Sequence, residues 1–257
     1  MQPVVSIICM TYNHEAFIGQ AMGGFLAQVA DFPIEVIVHD DASTDKTPEL
    51  LRAWARAYPD AVFPLFQREN QLSKTGVYPI VHAYEAARGK YIALCDGDDY
   101  WTDPWKLQRQ VDFMEANPEH AMCHHDYLIL DQGGLRLPDS RAPRDFTGDE
   151  LVGLSLVGYG IGCCTKLFRN FYAEARKDFT DFIGDYPMNV MLGLHGPCKY
   201  IPGIRPSVYR RQHGANSWSG LPKKVMAERT REMHRQVYER ICERGDEKHI
   251  RIRRAFL

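Results

Sequence analysis

The sequence predicts an α/β domain: a mostly parallel, doubly wound sheet flanked by helices, followed by a C-terminal helical tail. Three observations carry that prediction. Short apolar runs rich in β-branched residues, at Val4–Cys9, Ile34–His39, Val62–Phe66 and Tyr91–Cys95, alternate with helix-period segments through the first hundred residues. Such alternation argues for parallel strands joined by crossover helices. Two of these runs pass directly into acids, Asp40-Asp41 and Asp96-Gly97-Asp98-Asp99, at the strand ends where open α/β sheets bind their ligands. The charge is also divided. Residues 223–257 hold 11 Lys and Arg against 6 Asp and Glu, while the whole chain has a net charge of −2, so the tail differs in kind from the body.

The elements follow in order. After the first strand, Thr11-Tyr12-Asn13-His14 is a polar break, and a helix is expected from Glu15 to Gln28 with Phe17, Ala21, Phe25 and Val29 on one side. The second strand runs into Asp40-Asp41-Ala42-Ser43-Thr44-Asp45, a cluster of turn formers and helix caps, and the next helix spans Thr47 to Tyr58. Val62–Phe66 contains Pro64, which assigns it to a sheet edge. A helix from Ile80 to Ala87 leads to the fourth strand. Pro104 to Asn117 is helical, and Ala121 to Leu130 is extended around His124-His125-Asp126. Neighbouring residues of a strand face opposite ways, so one packed and one exposed histidine are expected there. Residues 131–147 read as a loop or insertion able to touch an acceptor. Gly158-Tyr159-Gly160-Ile161-Gly162 is rejected as a dinucleotide fingerprint, because it lacks a preceding strand, and Cys163 to Phe168 is expected as a strand. Asp185 opens a helix to His195, Tyr200 to Arg210 is extended, Arg211 to Gly220 is a loop, and residues 223–243 form the final helix.

Composition bounds the class. A chain of 257 residues, 45% hydrophobic and 25% charged, fits one large domain or two small ones. We divide it into residues 1–220 and a basic helical extension, 221–257. Its apolar runs fall far short of the roughly 18 residues a membrane span needs, and the N-terminus lacks the pattern of a signal peptide. Seven cysteines without Cys-x-x-Cys or zinc spacing read as reduced thiols. The expectation is a cytoplasmic protein that does not bind nucleic acid, with a basic C-terminus able to sit on the inner membrane face.

Asp96, Asp98 and Asp99 lie within four residues. Carboxylates this close repel one another unless a cation compensates them, and oxygen ligands suit Mg²⁺ or Mn²⁺ that also holds phosphate oxygens. Gly97 lets the backbone turn sharply between them. Two acidic strand ends from one sheet can converge on a single crevice.

With these pieces placed, the sequence resembles family-2 glycosyltransferases of the GT-A fold over residues 4 to 220. The resemblance rests on Val5 to Asn13, on Glu35 to Asp45, and on Leu94-Cys95-Asp96-Gly97-Asp98-Asp99-Tyr100-Trp101. It implies an inverting transfer from a nucleotide diphosphate sugar to a glycan or lipid-linked glycan. Carried over by position, Tyr12 packs on the nucleobase, Asp41 accepts its N–H, and Asn13 and Asp40 lie beside them. Asp98 is the first metal contact, Asp96 binds ribose or metal, and Asp99 ranks third. Asp185 is the general base, although Gly184 stands where many members have an acid. His213 reaches the metal or pyrophosphate, Arg210 and Arg211 pair with the diphosphate, and Trp218 covers the donor or lines a sugar site. The implied cofactor is Mn²⁺ or Mg²⁺, and Asp41 favours a uridine donor by analogy. A bacterial role in surface-polysaccharide assembly follows family habit. The first rival is a catalytically idle nucleotide-sugar-binding protein on the same fold. A nucleotidyltransferase would want a glycine-rich basic loop after the first strand, and Thr11-Tyr12-Asn13-His14-Glu15 has neither feature. The sugar, the nucleotide base (thymidine presents the same edge as uridine), the acceptor and linkage, and the oligomeric state are left open.

Overall fold

A strand whose seven residues are all buried, β1 (Val5–Thr11), lies inside the sheet. In the computed structural model, which describes residues 1–75, 79–138, 144–156, 161–172, 185–211 and 223–243, β1 pairs in parallel with β2 (Ile34–Asp40) and β4 (Tyr91–Leu94). β3 (Val62–Phe66) pairs with β2 at the sheet edge, where its proline suits it. The connections are α1 (Ile18–Leu26), α2 (Thr47–Ala57), the short α3 (Gln71–Thr75) and α4 (Val81–Ala86). Alternate residues feed two cores. Val5, Ile7 and Cys9 join Phe25, Trp101 and Leu107 on one face, while Ile8 and Met10 join Ile37, Ile92 and Met191 on the other. The expected alternation is therefore the observed one, with helices a few residues shorter than expected.

Beyond β4 the chain departs from simple winding. After α5 (Lys106–Ala116), the run expected as one strand divides into β5 (Met122–His124) and β6 (Tyr127–Asp131). β5 belongs to the main sheet and β6 to a second one. The turn between them buries both histidines, His124 at 7% and His125 at 2% exposure, so the expected exposed histidine is absent. Burial holds both imidazoles below their usual pKa, which keeps them neutral. β6 pairs with β7 (Gly134–Arg136), so the expected loop contains a hairpin.

A helix absent from the sequence reading, α6 (Gly148–Leu156), comes next. Thr147 and Glu150 cap it reciprocally: Thr147 N–H donates to Glu150 Oε2 at 2.9 Å, and Glu150 N–H donates to Thr147 Oγ1 at 3.2 Å. Cys163–Thr165 is a 3-10 turn, and β8 (Leu167–Arg169) runs antiparallel to both β4 and β5. α7 (Asp185–His195), β9 (Cys198–Tyr200), β10 (Ser207–Arg210) and α8 (Lys223–Glu243) complete the order. The main sheet reads β3-β2-β1-β4-β8-β5-β9 and the second reads β10-β6-β7. α6 and α7 meet through glycine: a Cβ on Gly193 would lie 2.7 Å from the Gly148 carbonyl oxygen, so only bare backbone permits this approach. Among the described residues no helix is long and apolar enough to cross a membrane.

Candidate active site

Three loops leave the carboxyl edge of the parallel strands together. Register brings them there: Thr11 pairs with Asp40 across β1 and β2. The β1–β4 ladder runs on past Leu94, with Cys95 N–H donating to Ile8 O and Gly97 N–H to Met10 O at 2.8 Å. The acidic turn therefore lies beside the end of β1. A Cβ on Gly97 would sit 3.0 Å from Thr11 Cβ, Thr11 Oγ1 and Ile18 Cδ1, so glycine sets how closely the turn packs on the first loop.

The first two loops are stitched together. Asn13 adopts a left-handed φ of 55° and Ala42 one of 60°; asparagine tolerates that region better than most residues. Asn13 N–H donates to Ser43 Oγ at 2.8 Å, and Thr44 N–H donates to Asn13 Oδ1 at 2.8 Å. His14 N–H donates to Thr47 Oγ1, Glu15 N–H to Asp45, and Lys46 N–H to Glu15. Asp40 is buried and shapes its own loop by accepting Ser43 N–H and Ser43 Oγ–H; burial raises its pKa. Asp41 Oδ1 and Oδ2 accept the N–H groups of Gln71 and Leu72 at 2.7 and 3.0 Å. Each carboxylate oxygen has a further lone pair. Tyr12 is half-buried between these loops.

The acidic turn is held from the far side by β10. Tyr100 and Val208 exchange backbone hydrogen bonds of 3.1 and 2.9 Å. Arg210 N–H donates to Asp99 Oδ1 and Arg210 Nε to Asp98 O, each at 2.8 Å, and Arg210 Nη2 donates to Gln20 Oε1. Its guanidinium lies 4.8 Å from the Phe17 ring centroid and 5.4 Å from that of Tyr100. Arg210 is thus largely engaged by protein groups. Arg211 is exposed, its guanidinium 5.5 Å from the Tyr209 ring. Trp101 anchors the end of the turn: its Nε1–H donates to Cys164 O at 2.8 Å, its ring meets Phe25 edge-on, and Lys106 Nζ lies 4.0 Å over its face.

The acids differ in surroundings. Asp99 is fully buried, and its Oδ2 makes no hydrogen bond. Burial, then Asp98 and Asp96, push its pKa well above the carboxylate range. Asp98 Oδ2 lies 3.8 Å from His14 Nε2, and Asp96 Oδ2 lies 3.9 Å from Cys163 Sγ. Carboxylates grouped in this way could hold a divalent cation. Among the described residues no group of three or more His, Cys, Asp or Glu side chains is placed to hold a metal ion by itself. The side chain of Asp185, at the first position of α7, lies outside the described residues, as do His213 and Trp218. His14, Gln20 and Cys163 were missed by sequence reasoning. His14 stands inside the polar break after β1, whereas nothing in the sequence links Cys163 to Asp96.

Comparison with known proteins decides the family. The profile described as "Glycosyl transferase family 2" matches residues 6–176. The chain belongs to that family. The Mycobacterium tuberculosis H37Rv protein Rv1520 is 40% identical over 159 residues, covering 60% of this chain and 44% of its own length. The putative teichuronic acid biosynthesis glycosyltransferase TuaG of Bacillus subtilis is 28% identical over 158 residues, covering 61% of this chain and 60% of TuaG. The chain thus spans about half the length of the mycobacterial relative. Among solved structures, S. aureus TarS 1-349 in complex with UDP-GlcNAc superposes with a TM-score of 0.71 at 18% identity, over 92% of this chain and 66% of that one. Mannosyltransferase PcManGT from Pyrobaculum calidifontis, in complex with GDP-Man and Mn²⁺, gives 0.58 at 22% identity, over 95% and 65%. At these identities the likeness establishes the GT-A fold expected from the sequence.

Proposed function

We propose that this member of the family is an inverting, metal-dependent glycosyltransferase that moves a sugar from a UDP-sugar to a hydroxyl acceptor. The observation that carries the reading is the convergence of three loops on one sheet edge, with Asp98 largely buried there and Asp99 fully buried behind it. Tyr12 and Asp41 bind the base, with Asn13 and Asp40 shaping their loops. Asp98, Asp96 and His213 would hold Mn²⁺ or Mg²⁺, which when bound stabilises the charge that develops on the leaving diphosphate. Arg211 and Arg210 add positive charge beside it, and Trp218 covers the donor.

Asp185 removes the proton of the acceptor hydroxyl as that oxygen attacks the anomeric carbon. The bonding pair leaves with the diphosphate, and the anomeric configuration inverts. Asp185 opens α7, the place where the resemblance puts the general base. The complexes of TarS with UDP-GlcNAc and of PcManGT with GDP-Man and Mn²⁺ support a nucleotide-sugar donor and a metal. The name of TuaG, a putative teichuronic acid biosynthesis glycosyltransferase, supports a place in surface-polysaccharide assembly, and a cytoplasmic location belongs to the same reading. Contact of the basic tail with the membrane face is part of the same reading. In the described part of that tail Arg235 is taken up by Glu232 and Glu239, so the contact would rest on its other cations.

Calorimetric titration of UDP with and without Mn²⁺ tests the donor site. Wild type is expected to bind UDP in a metal-dependent manner and Asp98→Ala to lose that dependence. Asp185→Asn should retain donor binding and lose transfer. Absence of UDP binding in wild type would refute the uridine reading, and transfer at the wild-type rate by Asp185→Asn would remove Asp185 from its role. Donor binding with neither transfer nor hydrolysis would favour an idle binding protein.

A further inference from the structure

Asp98 is fixed from two directions by residues far apart in sequence. Arg210 Nε holds its carbonyl oxygen at 2.8 Å, and Arg210 N–H holds the next carboxylate, that of Asp99. The backbone of the turn is therefore set from β10. On the carboxylate side stands His14, with Nε2 3.8 Å from Asp98 Oδ2 and both side chains about nine-tenths buried. That separation is too long for a hydrogen bond but is direct electrostatic and steric contact. His14 is itself well located. It follows left-handed Asn13, its N–H is tied to Thr47 Oγ1 at 2.9 Å, and its ring stands edge-on to Phe17 at 6.2 Å.

We infer that His14 is a positioning residue for Asp98, the edge of its imidazole beside Oδ2 restricting the carboxylate, by polarity and by bulk, to the orientation needed to hold the metal and the donor diphosphate. This rests on the reading of Asp98 as a metal ligand. Groups packed behind a metal-ligating carboxylate help to orient it, and loss of such a partner weakens metal binding by about 10- to 100-fold. The inference gives the first motif a second task. Tyr12 serves the nucleobase, while His14, two residues on, serves the acid at the other end of the donor. Binding of the two ends of one ligand is thereby coupled through a single loop.

The test is titration of Mn²⁺ into the full chain saturated with UDP, by calorimetry and by the electron paramagnetic resonance of the free ion. Wild type, His14→Ala, His14→Asn, His14→Gln and Asp98→Ala are compared, with the melting temperature of each recorded without metal. Glutamine carries its Nε2 the same number of bonds from Cα as the histidine Nε2, whereas the asparagine nitrogen falls at the Nδ1 position. His14→Ala and His14→Asn should each weaken Mn²⁺ binding about tenfold, and His14→Gln should restore most of it. A merely structural role would make Mn²⁺ affinity follow melting temperature, with no rescue specific to glutamine. Wild-type Mn²⁺ affinity in His14→Ala, with Asp98→Ala inactive in binding, would overturn the inference and leave the metal reading standing. Failure of wild type itself to bind Mn²⁺ with UDP, or unchanged binding by Asp98→Ala, would remove the metal reading and this inference with it.

Discussion

Replacing Lys106 with methionine should make the protein's stability respond differently to pH. Lys106 is 1% exposed, donates to Gln110 Oε1 at 2.8 Å, and lies over the Trp101 ring. Burial lowers its pKa from 10.5 to about 8, which corresponds to about 3 kcal/mol against the charged form. Between pH 8 and 10.5 the unfolded chain holds this proton and the folded one does not, so the lysine's contribution to stability rises with pH across that window. From about pH 7 to about pH 9.5 the gain is about 2 kcal/mol. The Lys106→Met substitution removes the titration but leaves Gln110 Oε1 without its donor, a loss of about 1–3 kcal/mol. The variant should therefore be within about 2 kcal/mol of wild type at about pH 7 and fall behind by about a further 2 kcal/mol at about pH 9.5. Urea unfolding at both pH values, followed by tryptophan fluorescence, measures the difference directly. Thiols that titrate in the unfolded state do so in both proteins and cancel. A stability difference that stays constant to within about 0.5 kcal/mol would refute the argument that Lys106 is folded against a desolvation penalty.

Two further substitutions separate the site from its scaffold. Gly97→Ala places a methyl 3.0 Å from Thr11 and Ile18, so the acidic turn must shift; metal-dependent UDP binding is expected to weaken about tenfold, corresponding to about 1.4 kcal/mol, and unchanged binding would show that the turn's position is not critical. Glu35→Gln acts at the opposite end of the strands, where Glu35 accepts from Ser6 Oγ, Arg88 N–H and the Arg88 guanidinium. It should cost about 2–3 kcal/mol of stability while leaving UDP affinity as in wild type, both read from one set of unfolding and binding curves.

The parallel half of the molecule was legible because each strand there is a continuous apolar run ending in polar turn formers. β1, β2 and β4 are buried on both faces, and a doubly covered strand writes that pattern directly into sequence. The second half resisted for identifiable reasons. β5, β7, β8 and β9 have three residues each, too few to show a period. Ala121–Leu130 is one extended run in sequence, yet His124-His125-Asp126 carries it from one sheet to another, a change that only the pairing partners reveal. Thr147 and Glu150 carry a capping signature, but the Gly- and Pro-rich surroundings conceal it. In the site, the types of acid were readable and their divisions of labour were not. The resemblance separates Asp41 from its neighbour Asp40, but the residue types alone do not show that one turns inward to Ser43 while the other receives the start of α3. Arg210 reads as a free cation for phosphate, whereas its place at the end of β10 sends it to Asp98, Gln20 and two aromatic rings.

The reach of β10 across the chain has a consequence for the order of assembly during synthesis. Asp99 receives its backbone donor from a residue 111 positions later, and Tyr100 pairs with Val208. β1 to β4 can acquire their parallel register once the first hundred residues have emerged, because their parallel partners all lie among those residues; only the antiparallel β8 joins β4 later. The acidic turn cannot be completed then, since contacts of large sequence separation form late. A chain that halts before Ser207 would carry the family's acidic motif on a folded sheet edge without the strand that locks it. Competence of the site therefore reports that synthesis has passed β10. That strand lies beyond residues 6–176, the span matched by the family profile, so the motif lies inside that span and its lock outside it.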